Sequence, residues 1–165
     1  MIRNLKKDFN VNDGLFNKFV IFIFRLGNFI HFEISWKPFR IAFLIPYKIL
    51  NFIFIRCICN ADVSHKCRVG VGLSLPHGWN GIVIHEEAVI GINVTIFHQV
   101  TIGKNPGSHG APVIEDNVFI GVGAKIIGNV KLGSNSKVGA NTTVVKDVPP
   151  FTTIVGAPSK IITRT

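Results

Sequence analysis

Gly121–Val145 reads GVGAKIIGNVKLGSNSKVGANTTVV, and its aliphatic residues recur on an unusual beat. Ile126, Leu132, Val138 and Val144 stand six residues apart, each preceded at two places by a smaller residue: Ala124, Val130, Ser136, Thr142. Helices repeat at about 3.6 residues and strands at about 2, so neither explains a period of six. A hexad of large aliphatic, glycine and small residue builds one short strand and a turn. Three hexads close a triangular coil of about 18 residues, the unit of a parallel β-helix.

The beat extends upstream through Val63, Val69 and Leu75, then Ile84, Ile90, Ile96 and Ile102, then Ile114 and Ile120. With the four above, thirteen hexad sites hold only Val, Ile or Leu. Side chains entering a narrow prism must alternate large and small, and its corners need residues that tolerate positive φ. Asn93, Asn117 and Asn135 share one hexad position, as corners require. The beat slips twice. Leu75 and Ile84 are nine apart, which places three extra residues in PHGWNG. Ile102 and Ile114 are twelve apart, so GKNPGSHGA keeps phase while a Gly/Pro-rich loop replaces a strand. Both slips contain histidine, and loops leaving a stiff scaffold commonly carry function.

Residues 1–58 read differently. Phe16, Phe19, Val20, Ile23, Phe24 and Ile30 follow a helical stripe with Lys18 and Arg25 off it, and Pro38 and Pro46 punctuate two further short helices. The sequence predicts a mainly β protein: a left-handed parallel β-helix over residues 59–165 behind a short N-terminal α-helical segment over 1–58. The net charge of +9 is uneven, with nine Lys/Arg against three Asp/Glu in residues 1–60 and nine against six thereafter. A basic, apolar N-terminal part suits packing on the rest of the protein or a peripheral contact with an anionic membrane; no nucleic-acid motif appears. The polar opening residues do not resemble a signal peptide, and Arg25, Lys37, Arg40 and Lys48 break the apolar runs, so no bilayer-spanning helix is expected. Cys57, Cys59 and Cys67 are too few and too clustered for a disulfide framework or a zinc finger, which points to a reducing cytoplasm.

DVSHKCRVGVGLSLPH, GIVIHEEAVIGINVTIFHQVTIG, GAKIIGNVKLG and KDVPPFTTIVGAPSKII together resemble the hexapeptide-repeat acyltransferases over about residues 60–162. The resemblance is to the serine acetyltransferase branch and to related O-acetyltransferases of surface-polysaccharide clusters. It implies a homotrimer, acetyl-CoA as donor in the groove between prisms, no metal, and a His–Asp pair that activates the acceptor. Asp62 and His77, fifteen residues apart, match that pair. Their spacing is nearly one coil, which would put the carboxylate about 4.8 Å away on the neighbouring rung. There it can fix the imidazole's tautomer while the other nitrogen takes the alcohol's proton. Backbone N–H groups of the Gly103–Gly110 loop are candidate oxyanion donors. The resemblance assigns Gly103, Lys104, Val122, Gly123, Ala124 and Lys146 to the donor. His98, His109 and Asn80 are candidates for contact with the acceptor. His31, His65 and His85 read as surface or packing residues.

The chain departs from the serine enzymes in two places. Pro76 stands where they carry an aspartate before the histidine, and the loop GSHGAPVI lacks their arginine. Those two charges suit a zwitterionic amino acid. A neutral sugar hydroxyl needs neither, and Trp79 offers an apolar face to a pyranose. The sequence therefore favours acetyl-CoA-dependent O-acetylation of a sugar in a cell-surface polysaccharide or its precursor. Serine O-acetylation is the alternative. A zinc enzyme of γ-type carbonic anhydrase character using His77, His98 and His109, and a non-catalytic scaffold, are remoter ones.

Overall fold

In the computed structural model, which describes residues 2–107 and 109–156 with side chains from Leu5 onward, the six-residue beat becomes three flat parallel faces. The first face stacks Asp62–Val63, Val83–Ile84, Thr101–Gly103, Lys125–Ile127 and Thr143–Val144. The second stacks Arg68–Val69, Val89–Ile90, Val113–Ile114 and Lys131–Leu132; the third Thr95–Ile96, Phe119–Ile120, Lys137–Val138 and Thr153–Ile154. The second residue of each hexad strand turns inward, and Ile84, Ile90, Ile96, Ile102, Ile126 and Leu132 are at most 2% exposed. The smaller residues two places earlier are buried too, Ala124 and Ser136 completely. Each large aliphatic withdrawn from water contributes about 1.5–3 kcal/mol. The residues from Ala157 on, which include most of the GAPSK ending, lie outside the described ones.

Asn93, Asn117 and Asn135 take φ between 55 and 61°, and Gln99 and Asn141 take 59 and 53° at the next corner. An amide side chain tolerates this left-handed geometry better than other non-glycine residues. The pairing register measures the two slips. Lys125 pairs with Thr143 one coil on, 18 residues away, whereas Asp62 pairs with Val83, 21 away, and Thr101 with Lys125, 24 away. The second slip does not replace a strand. Thr101–Gly103 lies on the first face and Val113–Ile114 on the second, so the loop is an added hexad bulging from one edge.

Three helices precede the prism: α1 (Ile2–Asn10), α2 (Leu15–Phe32) and α3 (Lys37–Leu50), the last continuing in wider π-type turns through Asn51–Ile58. Pro46 lies inside α3 and does not end it. Lys37–Ile58 is thus one helical run of 22 residues, and with Leu15–Phe32 it is long and apolar enough to cross a membrane by length and composition. The apolar runs read as interrupted are thus joined in one helix, because a helix carries scattered cations without stopping. The α2 stripe is buried at Val20, Ile23, Phe24 and Ile30, while Phe16 and Phe19 stay exposed. Gly27 lets α3 approach, since a β-carbon there would collide with the Tyr47 ring.

Arg25, read as lying off the stripe, is 4% exposed and points into the protein. Its Nε donates to Asp8 Oδ2 at 2.7 Å, and its other nitrogens donate to the carbonyls of Val69 and Gly70. Asp8 Oδ1 accepts the N–H groups of Gly72 and Leu73. Asn12 accepts from Leu75 N–H and donates to Leu73 C=O, while Asn28 donates to the carbonyls of His65 and Cys67. The first coil has no preceding rung, so the helices supply side chains where another strand would have supplied backbone.

Asp8→Ala leaves a buried guanidinium and two amides unmatched, and is expected to lower unfolding stability by about 3–5 kcal/mol. Urea titration followed by tryptophan fluorescence checks this, and a change below about 1 kcal/mol, the scale of a surface pair, contradicts it. Burial, then the charges of His31, Lys66 and Lys48, push His65 from 6.5 down to about 4. Between those values the unfolded chain binds a proton that the folded chain refuses, so stability falls as pH drops from 6.5 toward 4. His65→Gln should flatten the pH dependence of the urea midpoint in that window.

Candidate active site

The edge where the third face turns into the first is a column of corner residues: 76–82, 97–100, 121–124 and 139–142. The three extra residues of PHGWNG widen its first step, and His77 stands there exposed. Its ring lies 4.9 Å from that of His98, nearly perpendicular, and 5.6 Å from that of Phe97. His98 Nδ1 is buried without a hydrogen-bond partner among the described residues.

Asp62 is on the neighbouring rung, as its spacing predicts, with its N–H donating to Ile82 C=O. Its carboxylate does not meet His77 within the chain. It accepts from Arg56 at 2.7 Å instead and is largely exposed. The insertion explains the miss: the lengthened corner carries the imidazole toward Phe97 on the third-face side, while Asp62 opens on the first face. Asn80, exposed at the corner, borders both the His77 cleft and the groove of Asp62.

That cleft, about 440 Å³, is walled by helical residues as well as the corner: Asp13, Phe16 and Asn17 from the start of α2 and its approach, with His77, Gly78 and Asn80 opposite. Asn17 donates to Leu75 C=O and fixes α2 against the rung before His77. Asp13 and Asn17 carry no signal in the sequence, because no repeat or motif links the helical segment to the histidine. Trp79 does not offer its face to a ligand. It is 1% exposed and packs on Phe24 with ring centroids 5.1 Å apart, so it anchors α2 to the corner. Cys59 lines the same cleft, its thiol pushed up by burial.

The residues assigned to the donor divide between two edges. Val122, Gly123 and Ala124 share the His77 edge, where Gly123 N–H donates to His98 C=O and Val122 C=O accepts from Asn141. These groups hold the coil together, which leaves fewer of them to face outward than expected. Gly103 ends a first-face strand, and Lys104 beyond it pairs with Glu87 at 2.8 Å. Lys146 is exposed at the same far edge, as is His109 in the loop. Within one chain, therefore, the loop cannot supply an oxyanion donor to His77, and His77, His98 and His109 do not form a triad. Among the described residues no three of His, Cys, Asp or Glu gather as a metal cluster would require.

Residues 111–146 match the family model for the bacterial transferase hexapeptide (six repeats). The chain is 44% identical to a serine acetyltransferase of Buchnera aphidicola subsp. Schizaphis graminum over 113 residues, 67% of this chain and 43% of that protein. It is 40% identical to the serine acetyltransferase of Mycobacterium tuberculosis over 111 residues, 66% of this chain and 48% of that protein. The chain thus spans about half the length of these relatives. Among solved structures it resembles Neisseria gonorrhoeae serine acetyltransferase in complex with serine, with TM-score 0.68 and 32% identity over 96% of this chain and 66% of that one. It also resembles Brucella abortus serine acetyltransferase in complex with coenzyme A, with TM-score 0.70 and 34% identity over 92% and 57%. Residues 111–146 thus carry the hexapeptide repeat of bacterial transferases, and the relatives named here, which the prism resembles, are serine acetyltransferases.

Proposed function

We propose that this protein transfers acetyl from acetyl-CoA to the hydroxyl of serine, with His77 as general base. The observation that carries the reading is an exposed imidazole at the lip of a cleft whose helical wall presents Asp13. An aspartate before the histidine is missing from the sequence, and Asp13 restores an acidic group that can face the substrate ammonium. The relatives with solved serine and coenzyme A complexes support the choice. The burial of Trp79 removes the main positive argument for a sugar.

In this reading the imidazole takes the hydroxyl proton as the oxygen attacks the thioester carbon. The tetrahedral intermediate collapses, the C–S bond breaks, and the imidazolium returns the proton to the departing thiolate. No acyl-enzyme forms. The His77 edge and the Lys104–Gly110 loop flank opposite sides of the first face, so only a second prism can bring a loop to the histidine. We therefore propose a homotrimer with the donor between prisms, Val122–Ala124 on one wall and Gly103, Lys104 and Lys146 on the other, acting in the cytoplasm where acetyl-CoA is available. A glycan hydroxyl is the second reading. It is favoured by a loop without arginine, whose one cation, Lys104, is held by Glu87.

The test is release of free CoA thiol from acetyl-CoA with serine, or with hexoses, as acceptor. Serine-dependent turnover is expected, and turnover with hexose alone would shift the assignment to glycan. His77→Ala should lower kcat at least about a hundredfold. Asp62→Asn should cost far less, because its carboxylate serves Arg56; an equal loss would show that the two act as one unit. Asp13→Asn should raise the KM for serine about tenfold or more with little change in kcat, the scale of one charged hydrogen bond.

A further inference from the structure

We propose that the outer face of the Lys37–Ile58 helix is a docking surface for an anionic lipid bilayer, on which the protein lies without crossing. One side of this helix is committed to the protein: Tyr47 and Ile55 are at most 2% exposed, Phe19 stacks edge-on to Phe54 at 4.9 Å, and Arg56 pairs with Asp62. The other side is apolar and open. Ile41, Ile45 and Ile49, spaced one turn apart, are 57–60% exposed, and Phe52 continues beside them at 59%. Trp36, Phe39 and Phe43 form an aromatic row at its start, with ring centroids 4.9 and 6.0 Å apart. A contiguous exposed apolar face of this length marks an interaction surface.

Charge selects the occupant. The run from Lys37 to Ile58 carries Lys37, Arg40, Lys48 and Arg56 and no acidic residue. Arg56 is neutralised by Asp62, but pairing this face with the same face of a second copy would set Lys37, Arg40 and Lys48 against their copies, with no acidic residue on the run to neutralise them. Lipid phosphates supply the missing negative charge, while the apolar side chains enter the acyl boundary and the lysine stems reach back to the headgroups. Trp36 at the helix start has the amphipathic ring that favours this depth. Spanning is ruled against by the packed inner side, which would have to leave the prism, and by Lys48 near the middle of the run.

The experiment is flotation of the full chain with vesicles of phosphatidylcholine alone or mixed with phosphatidylglycerol, beside Ile45→Glu/Ile49→Glu. Both substitutions sit on exposed positions away from the cleft. The intact protein is expected to float with the mixed vesicles, weakly with the neutral ones, and to be released by alkaline carbonate. The double variant should lose at least about tenfold in bound fraction while keeping its helical circular dichroism. Equal flotation of both proteins, no flotation of either, or carbonate resistance would overturn the proposal. So would a variant that floats normally but sediments as a smaller species, since the face would then join copies of the chain. None of these readouts depends on acetyl transfer.

Discussion

A parallel β-helix ends in an open rung whose amides and carbonyls have no next strand, and this protein closes that end with one buried ion pair. Asp8 and Arg25 are almost completely withdrawn from water, and each spends its remaining hydrogen-bonding capacity on the backbone between Val69 and Leu73. A buried pair is a poor source of stability when a hydrophobic pair could replace it. Here the pair also stands in for the missing neighbour, a task no aliphatic side chain can perform. It fixes α1 and α2 against the first coil, and through α2 it sets the position of everything that borders His77.

The cleft is therefore a joint product of two kinds of structure. The prism supplies a stiff corner with His77 and Asn80, and the helices supply Asp13 and Asn17. Trp79 joins them: buried against Phe24, it ties the lengthened corner to α2 and gives the three-residue insertion a structural purpose. The insertion has a cost in reach, since it carries the imidazole away from Asp62 and leaves that carboxylate to Arg56. Arg56 belongs to the π-type turns ending at Ile58, so the last helical residues also shape the groove beside the site.

The outer side of α3 shows the same division of labour. Its inner residues are held by Gly27 and by the His65–Tyr47 ring contact at 5.2 Å, and burial there, with the charges of His31, Lys66 and Lys48, holds the His65 imidazole well below its usual range. The outer residues have no such partners among the described ones. An amphipathic reading of residues 1–58 anticipated basic helices, but placed Arg25 outside and stopped α3 too early. Hydropathy periodicity reports which side of a helix is apolar; it does not report that a cation can turn inward when a carboxylate and two carbonyls await it.

The prism was legible in the residue pattern alone. A six-residue beat held at thirteen sites leaves one way to bury every large aliphatic, and the two slips in that beat located the widened corner at His77 and the bulging loop before Ile114. Which side chains meet at the corner depends instead on how the helices pack against it. Spacing measures distance along the coil, so it placed Asp62 one rung from His77; direction around the prism depends on how three inserted residues fold against α2. Asp8, Asp13 and Arg25 lie outside the repeat, and their neighbours in the prism are set by packing between segments 44 or more residues apart, which no local pattern records.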